Sequence, residues 1–111
     1  MSWKIKTVIA TLAFTVVAWT SQGADAQANW DKHCAKCHGK EGKGDTKMGQ
    51  KLKVKDYTDA KVQEKMTDEH MTKITKEGAK EGGKTVMKAY SPELSDAEIK
   101  DLVAFVRKMK K

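Results

Sequence analysis

Apolar positions fall into one early run and then into helical stripes. From Thr7 to Trp19 the chain is apolar apart from its threonines. Near the other end, Ile99, Leu102, Val103, Val106 and Met109 recur at three- and four-residue intervals, and Phe105 widens the stripe. That period predicts a helix with one buried face. Ser95 and Glu98 open it as a capping box, S-D-A-E, and Arg107, Lys108, Lys110 and Lys111 close it where positive charge suits the helix dipole. TDEHMTKITKEG predicts a second helix, with Thr67 as N-cap, Met71 and Ile74 facing inward, and Gly78 as the stop. Shorter helices are expected from about Asp59 to Met66 and from Asn29 to about Ala35, the latter with Trp30 on its buried face. Apolar alternation of period two is nearly absent, so strands are not expected. Glycines gather at Gly39, Gly42, Gly44 and Gly49, at Gly78, and at Gly82 with Gly83, and read as loops between helices. The expected architecture is all-α: three to four helices, long glycine-rich loops, no sheet and no second domain.

The early apolar run changes what counts as the domain. Lys4 and Lys6 precede it, and S-Q-G-A-D-A-Q-A follows, with small residues at Ala24, Ala26 and Ala28. A basic start, a short apolar stretch and an A-x-A site make a secretory signal peptide, expected at residues 1–26 with cleavage after Ala26 or Ala28. The run is short of the ~20 apolar residues a membrane span needs; an uncleaved anchor is the competing reading. Removing residues 1–26 takes away Lys4, Lys6 and Asp25, so a net charge of +7 becomes +6 on 85 residues, 27–111. A chain of that size buries only about 60–65% of its unfolded surface. Small exported domains add a staple, but a disulfide between the only two cysteines, three positions apart, would constrain little.

Those cysteines stand in C-A-K-C-H, residues 34 to 38. Zinc wants four ligands, and the remaining histidines, His33 and His70, lie at spacings that match no zinc pattern. A redox dithiol of the C-x-x-C kind belongs at the end of a strand in a βαβ unit, which this chain does not offer. C-x-x-C-H is the attachment signature of c-type haem. Cysteines about one helical turn apart bond the macrocycle, and the adjacent histidine reaches under the ring to the iron. The leader agrees, since c-type maturation occurs outside the cytoplasm. Cys34 and Cys37 are therefore the expected thioether links, and His38 the proximal iron ligand.

A second protein ligand closes the iron and favours electron transfer. Beyond the leader the methionines are Met48, Met66, Met71, Met87 and Met109. Met109 lies on the core stripe, Met66 and Met71 lie on or beside helices, where methionine more often packs, and Met48 follows the attachment run closely. Met87 comes after a glycine pair, forty-nine residues beyond His38, far enough for the chain to return on the opposite face of the ring. Met87 is the expected distal ligand. His70 is the rival, and His33, directly before Cys34, points away from the ring.

With these residues in place the chain resembles a class I cytochrome c of the small single-haem bacterial kind. The resemblance runs through W-D-K-H-C-A-K-C-H-G at the start and M-K-A-Y-S-P-E-L-S-D-A-E-I-K-D-L-V-A-F-V at the end. It implies a cytochrome c-like all-α fold around one covalent haem c with its iron. It assigns the thioethers to Cys34 and Cys37, the iron to His38 and Met87, and pocket positions to Trp30 and Tyr90, with Phe105 packing the last helix against the first. Lys88 stands where the family commonly has proline after the ligand methionine, which loosens that loop. The family's other proline, after the attachment run, supplies the carbonyl that receives the proximal histidine's N–H; here a carbonyl between Lys47 and Gly49 is expected to take its place.

The expected function is a soluble periplasmic one-electron carrier, a monomer without stable membrane insertion once the leader is cleaved. The competing functions are a haem subunit of a membrane respiratory or dehydrogenase complex and an open-site haem enzyme or sensor. No catalytic base or nucleophile is evident, so an enzyme is not expected. The basic balance points to redox partner proteins with acidic docking patches, although lysines also serve solubility. Nucleic acid is not expected: the chain is exported and carries no recognition motif.

Overall fold

One helical run opens the part of the chain that the structure, a computed structural model, describes: residues 22–111. Of the expected leader, residues 1–21 lie outside the described residues. The run comprises α1 (Gln22–Asn29), a π-helical turn (Trp30–Cys34) and α2 (Ala35–His38). It is longer than the expected Asn29-to-Ala35 segment. The wide turn closes with the Ala35 N–H donating to the Trp30 carbonyl. Such turns recur at functional sites because they rotate the residues that follow, and here those residues are the attachment run.

After a glycine-rich loop come α3 (Lys47–Leu52), α4 (Ala60–Lys65) and α5 (Asp68–Glu77). Each is started by a side-chain cap. Thr46 accepts from the Gly49 N–H, Asp59 from the Lys61 N–H and Thr67 from the His70 N–H. Next is a hairpin of β1 (Ala79–Glu81) and β2 (Lys84–Met87), and then α6 (Asp96–Arg107). Both arms of the capping box are made at α6: Ser95 Oγ accepts from the Glu98 N–H at 3.1 Å, and the Ser95 N–H donates to Glu98 Oε1 at 3.0 Å.

The hairpin corrects the expectation of no sheet within an otherwise helical fold. Gly82 and Gly83 have φ of +56° and +77°, the two positive values that a two-residue hairpin turn of type I′ requires. The strands are too short for alternation to register. Ala79 pairs with Met87 and Lys80 with Thr85, leaving Val86 as a bulge. α3, read as loop from its glycines, is a second correction: a six-residue helix with a glycine inside it shows no apolar period.

The core lies where α1 and α5 pack on α6. Trp30, Cys34, Met66, Leu94, Ile99, Leu102 and Val106 form its centre, with Ile99 fully buried. The Trp30 and Phe105 rings meet at 5.7 Å, joining the first helical run to the last as expected. One polar residue belongs to this interior. Gln63, 4% exposed, donates from Nε2 to the Tyr57 carbonyl at 2.7 Å and to the Val106 carbonyl at 2.8 Å. Arg107 reaches over from α6 to the Gln63 carbonyl at 2.7 Å, to Gln63 Oε1 at 3.0 Å, to the Met66 carbonyl, and to Asp68 Oδ1 at 2.7 Å. This network ties the α4–α5 junction to α6. Gln63→Ala removes one donor each from the Tyr57 and Val106 carbonyls and leaves a void, an expected cost of about 2 kcal/mol. A lowered denaturation midpoint with unchanged slope checks it.

Candidate functional site

The residues singled out for chemistry converge on one cavity of about 460 Å³. That is within the roughly 300–1,000 Å³ of small-molecule and cofactor pockets. Trp30, Cys34, Cys37 and His38 line one part of it, and Met87 and Tyr90 another.

The attachment run is held by its neighbours' hydrogen bonds. Thr46 Oγ1 donates to the Cys37 carbonyl at 2.6 Å, the Gly44 N–H to the His38 carbonyl at 2.8 Å, and Trp30 Nε1 to the Gly39 carbonyl at 2.9 Å. α3 lies so near that a Cβ on Gly49 would collide with the Cys37 carbonyl oxygen. Cys34 is buried and Cys37 half-buried, and no disulfide joins them. Burial, and then the neighbouring Cys37, pushes the Cys34 thiol up to about 12.

Burial lowers the His38 pKa, so its imidazole is neutral, the form that ligates a metal. Its Nδ1 is the only buried side-chain nitrogen or oxygen among the described residues without a hydrogen-bond partner. The expected carbonyl between Lys47 and Gly49 does not receive it. The Gly49 carbonyl instead accepts from the Val54 N–H at 3.0 Å.

Met87 reaches the cavity by a local irregularity. In a regular strand, neighbours point to opposite faces, yet Val86 and Met87 both line the cavity. The bulge at Val86 is what re-aims them. Behind the hairpin, Gly78 ends α5 at φ +80°, ψ 179°, a region essentially reserved for glycine. A Cβ there would stand 2.6 Å from the Met87 carbonyl oxygen. Gly78→Ala is therefore expected to cost about 1–3 kcal/mol in strain and to displace Met87; a lower melting temperature and a loss of Met87-dependent spectral features check it.

The segment after Met87 is tied down without proline. Lys88 pairs with Glu93 and sits 5.5 Å from the Tyr90 ring centre. The pairing raises the Lys88 pKa and lowers that of Glu93. The Tyr90 N–H donates to the Thr75 carbonyl at 2.9 Å, and its hydroxyl to the His33 carbonyl at 3.0 Å. His33, expected to point away from the ring, instead lines the cavity, with its Nδ1 3.7 Å from Glu93. Met66, Met71 and His70 line it too, whereas Met48, exposed, and Met109 do not. Tyr57 is the residue that sequence reading missed: it lines the cavity, and its ring lies 5.2 Å from that of His38. Its lone aromatic in a lysine-rich loop was the available signal. Burial, with a contribution from Cys34, raises its phenol pKa. Among the described residues no group of three or more His, Cys, Asp or Glu side chains is placed to hold a metal ion by itself.

A helical wrap around a cavity with two cysteine sulfurs and a buried imidazole on its wall agrees with the attachment signature of a c-type haem. The cytochrome c family model matches residues 23–110, and the chain belongs to the cytochrome c family. Its class is that of the class I cytochromes c, whose cofactor is a covalent c-type haem with its iron and whose work is haem-based electron transfer. Among solved structures, the KustC0563 c-type cytochrome is similar, with 32% identity and a TM-score of 0.68, over 78% of this chain and 99% of that one. A point mutant of Kustc0563 gives the same figures. No curated protein matches the chain significantly. The residues present fit a haem: a paired set of cysteine sulfurs, a buried imidazole and a methionine thioether border the same cavity.

Proposed function

We propose that this chain is a periplasmic one-electron carrier, exported by its leader. In this reading Cys34 and Cys37 would hold the haem as thioethers, and His38 and Met87 would be the protein ligands of its iron. Support comes from one observation above all: residues far apart in sequence, Cys34, Cys37 and His38 on one helical run and Met87 on a bulged strand, border a single cavity. When bound, the haem supplies iron that cycles between ferric and ferrous. The protein's share is to keep coordination the same in both states. The Met87 thioether is soft and favours the reduced metal. Leu102, Val103 and Val106 form an apolar wall that limits water. Lys53, Lys55 and Lys88 also border the cavity and give its rim positive charge. They favour a redox partner with an acidic patch, by an association that weakens as salt rises. No helix among the described residues is long and apolar enough to cross a membrane.

The test is spectroscopic. Purified protein should give a pyridine haemochrome of one c-type haem and a ferric sulfur-to-iron charge-transfer band. Rapid, tight binding of carbon monoxide or cyanide by the resting protein would instead indicate an open iron and remove Met87 from the assignment.

A further inference from the structure

A metal-bound histidine almost always donates its second ring N–H to a carboxylate, a carbonyl or water, and that bond fixes the plane of the ring. His38 lacks such a protein partner: its Nδ1 is buried and unpaired. Four carbonyls of the surrounding loop already accept from other donors. Cys37 O accepts from Thr46, Gly39 O from Trp30, Gly42 O from the Tyr57 N–H at 2.8 Å, and Gly49 O from Val54. What faces the imidazole instead is aromatic. The Tyr57 ring is stacked on it at 5.2 Å and 23°, and the Trp30 ring lies tilted at 5.7 Å and 40°. Both distances fall in the roughly 4.5–7 Å window of favourable ring pairs.

We propose that Tyr57 is a positioning residue for the proximal ligand, setting the plane of the His38 imidazole by ring stacking where an Nδ1–H···O bond ordinarily would. The inference rests on His38 being the iron ligand. Tyr57 is built for this role. Its own N–H is bonded to Gly42, its carbonyl accepts from buried Gln63 at 2.7 Å, and the next carbonyl, Thr58, accepts from the Lys111 N–H at 2.9 Å. The ring is thus carried on backbone fixed from the loop, from α4 and from the C-terminus. The plane of an axial imidazole sets the energies of the iron orbitals that hold the ferric unpaired electron, so a tilt is legible without any assay of electron transfer.

The experiment uses the full holoprotein and two variants. Tyr57→Leu removes the ring and is expected to shift the ferric electron-paramagnetic-resonance g-values and the haem-methyl proton shifts. Tyr57→Phe keeps the ring and is expected to reproduce the unmodified spectra, because the stacking face and not the hydroxyl does the positioning. In the unmodified ferrous protein, nuclear Overhauser contacts should join the His38 imidazole protons to the Tyr57 ring protons. This measurement decides the matter if Tyr57→Leu yields no holoprotein. Spectra unmoved by Tyr57→Leu, equal shifts in both variants, or absent Overhauser contacts each overturn the proposal. Unmodified protein without an imidazole-ligated low-spin signal overturns His38 as ligand, a different failure from an imidazole signal indifferent to Tyr57.

Discussion

Met87→Ala should remove the ferric sulfur-to-iron band, open the iron to added imidazole, cyanide or carbon monoxide, and lower the reduction potential. The fall is expected on the order of 0.1–0.3 V, within the ~0.8 V that axial ligands span. The direction follows from chemistry: the thioether stabilises ferrous iron, and water or a harder ligand in its place does not. The size of the effect depends on whether another sulfur or imidazole steps in. Met66, Met71 and His70 border the same cavity, so the variant also tests whether they can. Met66 is 8% exposed in the core cluster, and Arg107 binds its carbonyl, so moving it would break the α4–α5 junction. Met71 is packed against that same cluster from α5. Met87 alone of the three sits on an element shaped for delivery, a bulged strand backed by a glycine that admits its carbonyl. Met71→Leu is the control and should leave band and potential in place. A full sulfur band surviving in Met87→Ala, and lost in Met71→Leu, would transfer the distal site to α5.

What was legible in the sequence was what repeats or what has a fixed spacing. The stripe from Ile99 to Val106 needed α6, and S-D-A-E marked its first turn. Thr67 and Gly78 bounded α5 to within a residue. C-A-K-C-H carried its own spacing. What escaped was set by contacts across the chain. α3 is defined by the Thr46 cap and by the fit of Gly49 under Cys37, neither of which has a period. The hairpin had its Gly-Gly signal, but strands of three and four residues give alternation no room to show. The partner expected for the His38 ring N–H was argued from a loop that resembled the family's; in this chain no carbonyl of that loop meets His38 Nδ1, and Tyr57 comes from a later segment to face the ring. The loop after Met87 shows the opposite case. Its missing proline predicts slackness, yet Lys88, Glu93 and Tyr90 supply by side-chain contact what proline supplies by covalent geometry.

Replacing both attachment cysteines, Cys34→Ala with Cys37→Ala, should leave a colourless chain with little helical signal and no cooperative melting. The reason lies in how the interior is divided. Nine apolar residues among the described ones are buried, and most of them, including Trp30, Cys34, Met66 and Leu102, also border the cavity. The core is therefore a shell around the cofactor's place and not a mass beside it. A cavity of about 460 Å³, at roughly 24 cal/mol per Å³, would cost on the order of 11 kcal/mol, an upper value because the cavity opens to solvent. Domains of this kind have only about 5–15 kcal/mol in all. The secondary structure offers little reserve: α3 and α4 have six residues each, α5 ten and α6 twelve, and neither such helices nor a lone hairpin is stable by itself in water. Covalent attachment makes the filling permanent, so binding free energy becomes folding free energy. Native-like helicity with a cooperative melt in the colourless double variant would show that the polypeptide folds by itself, and that the haem is a passenger in a finished fold and not its core.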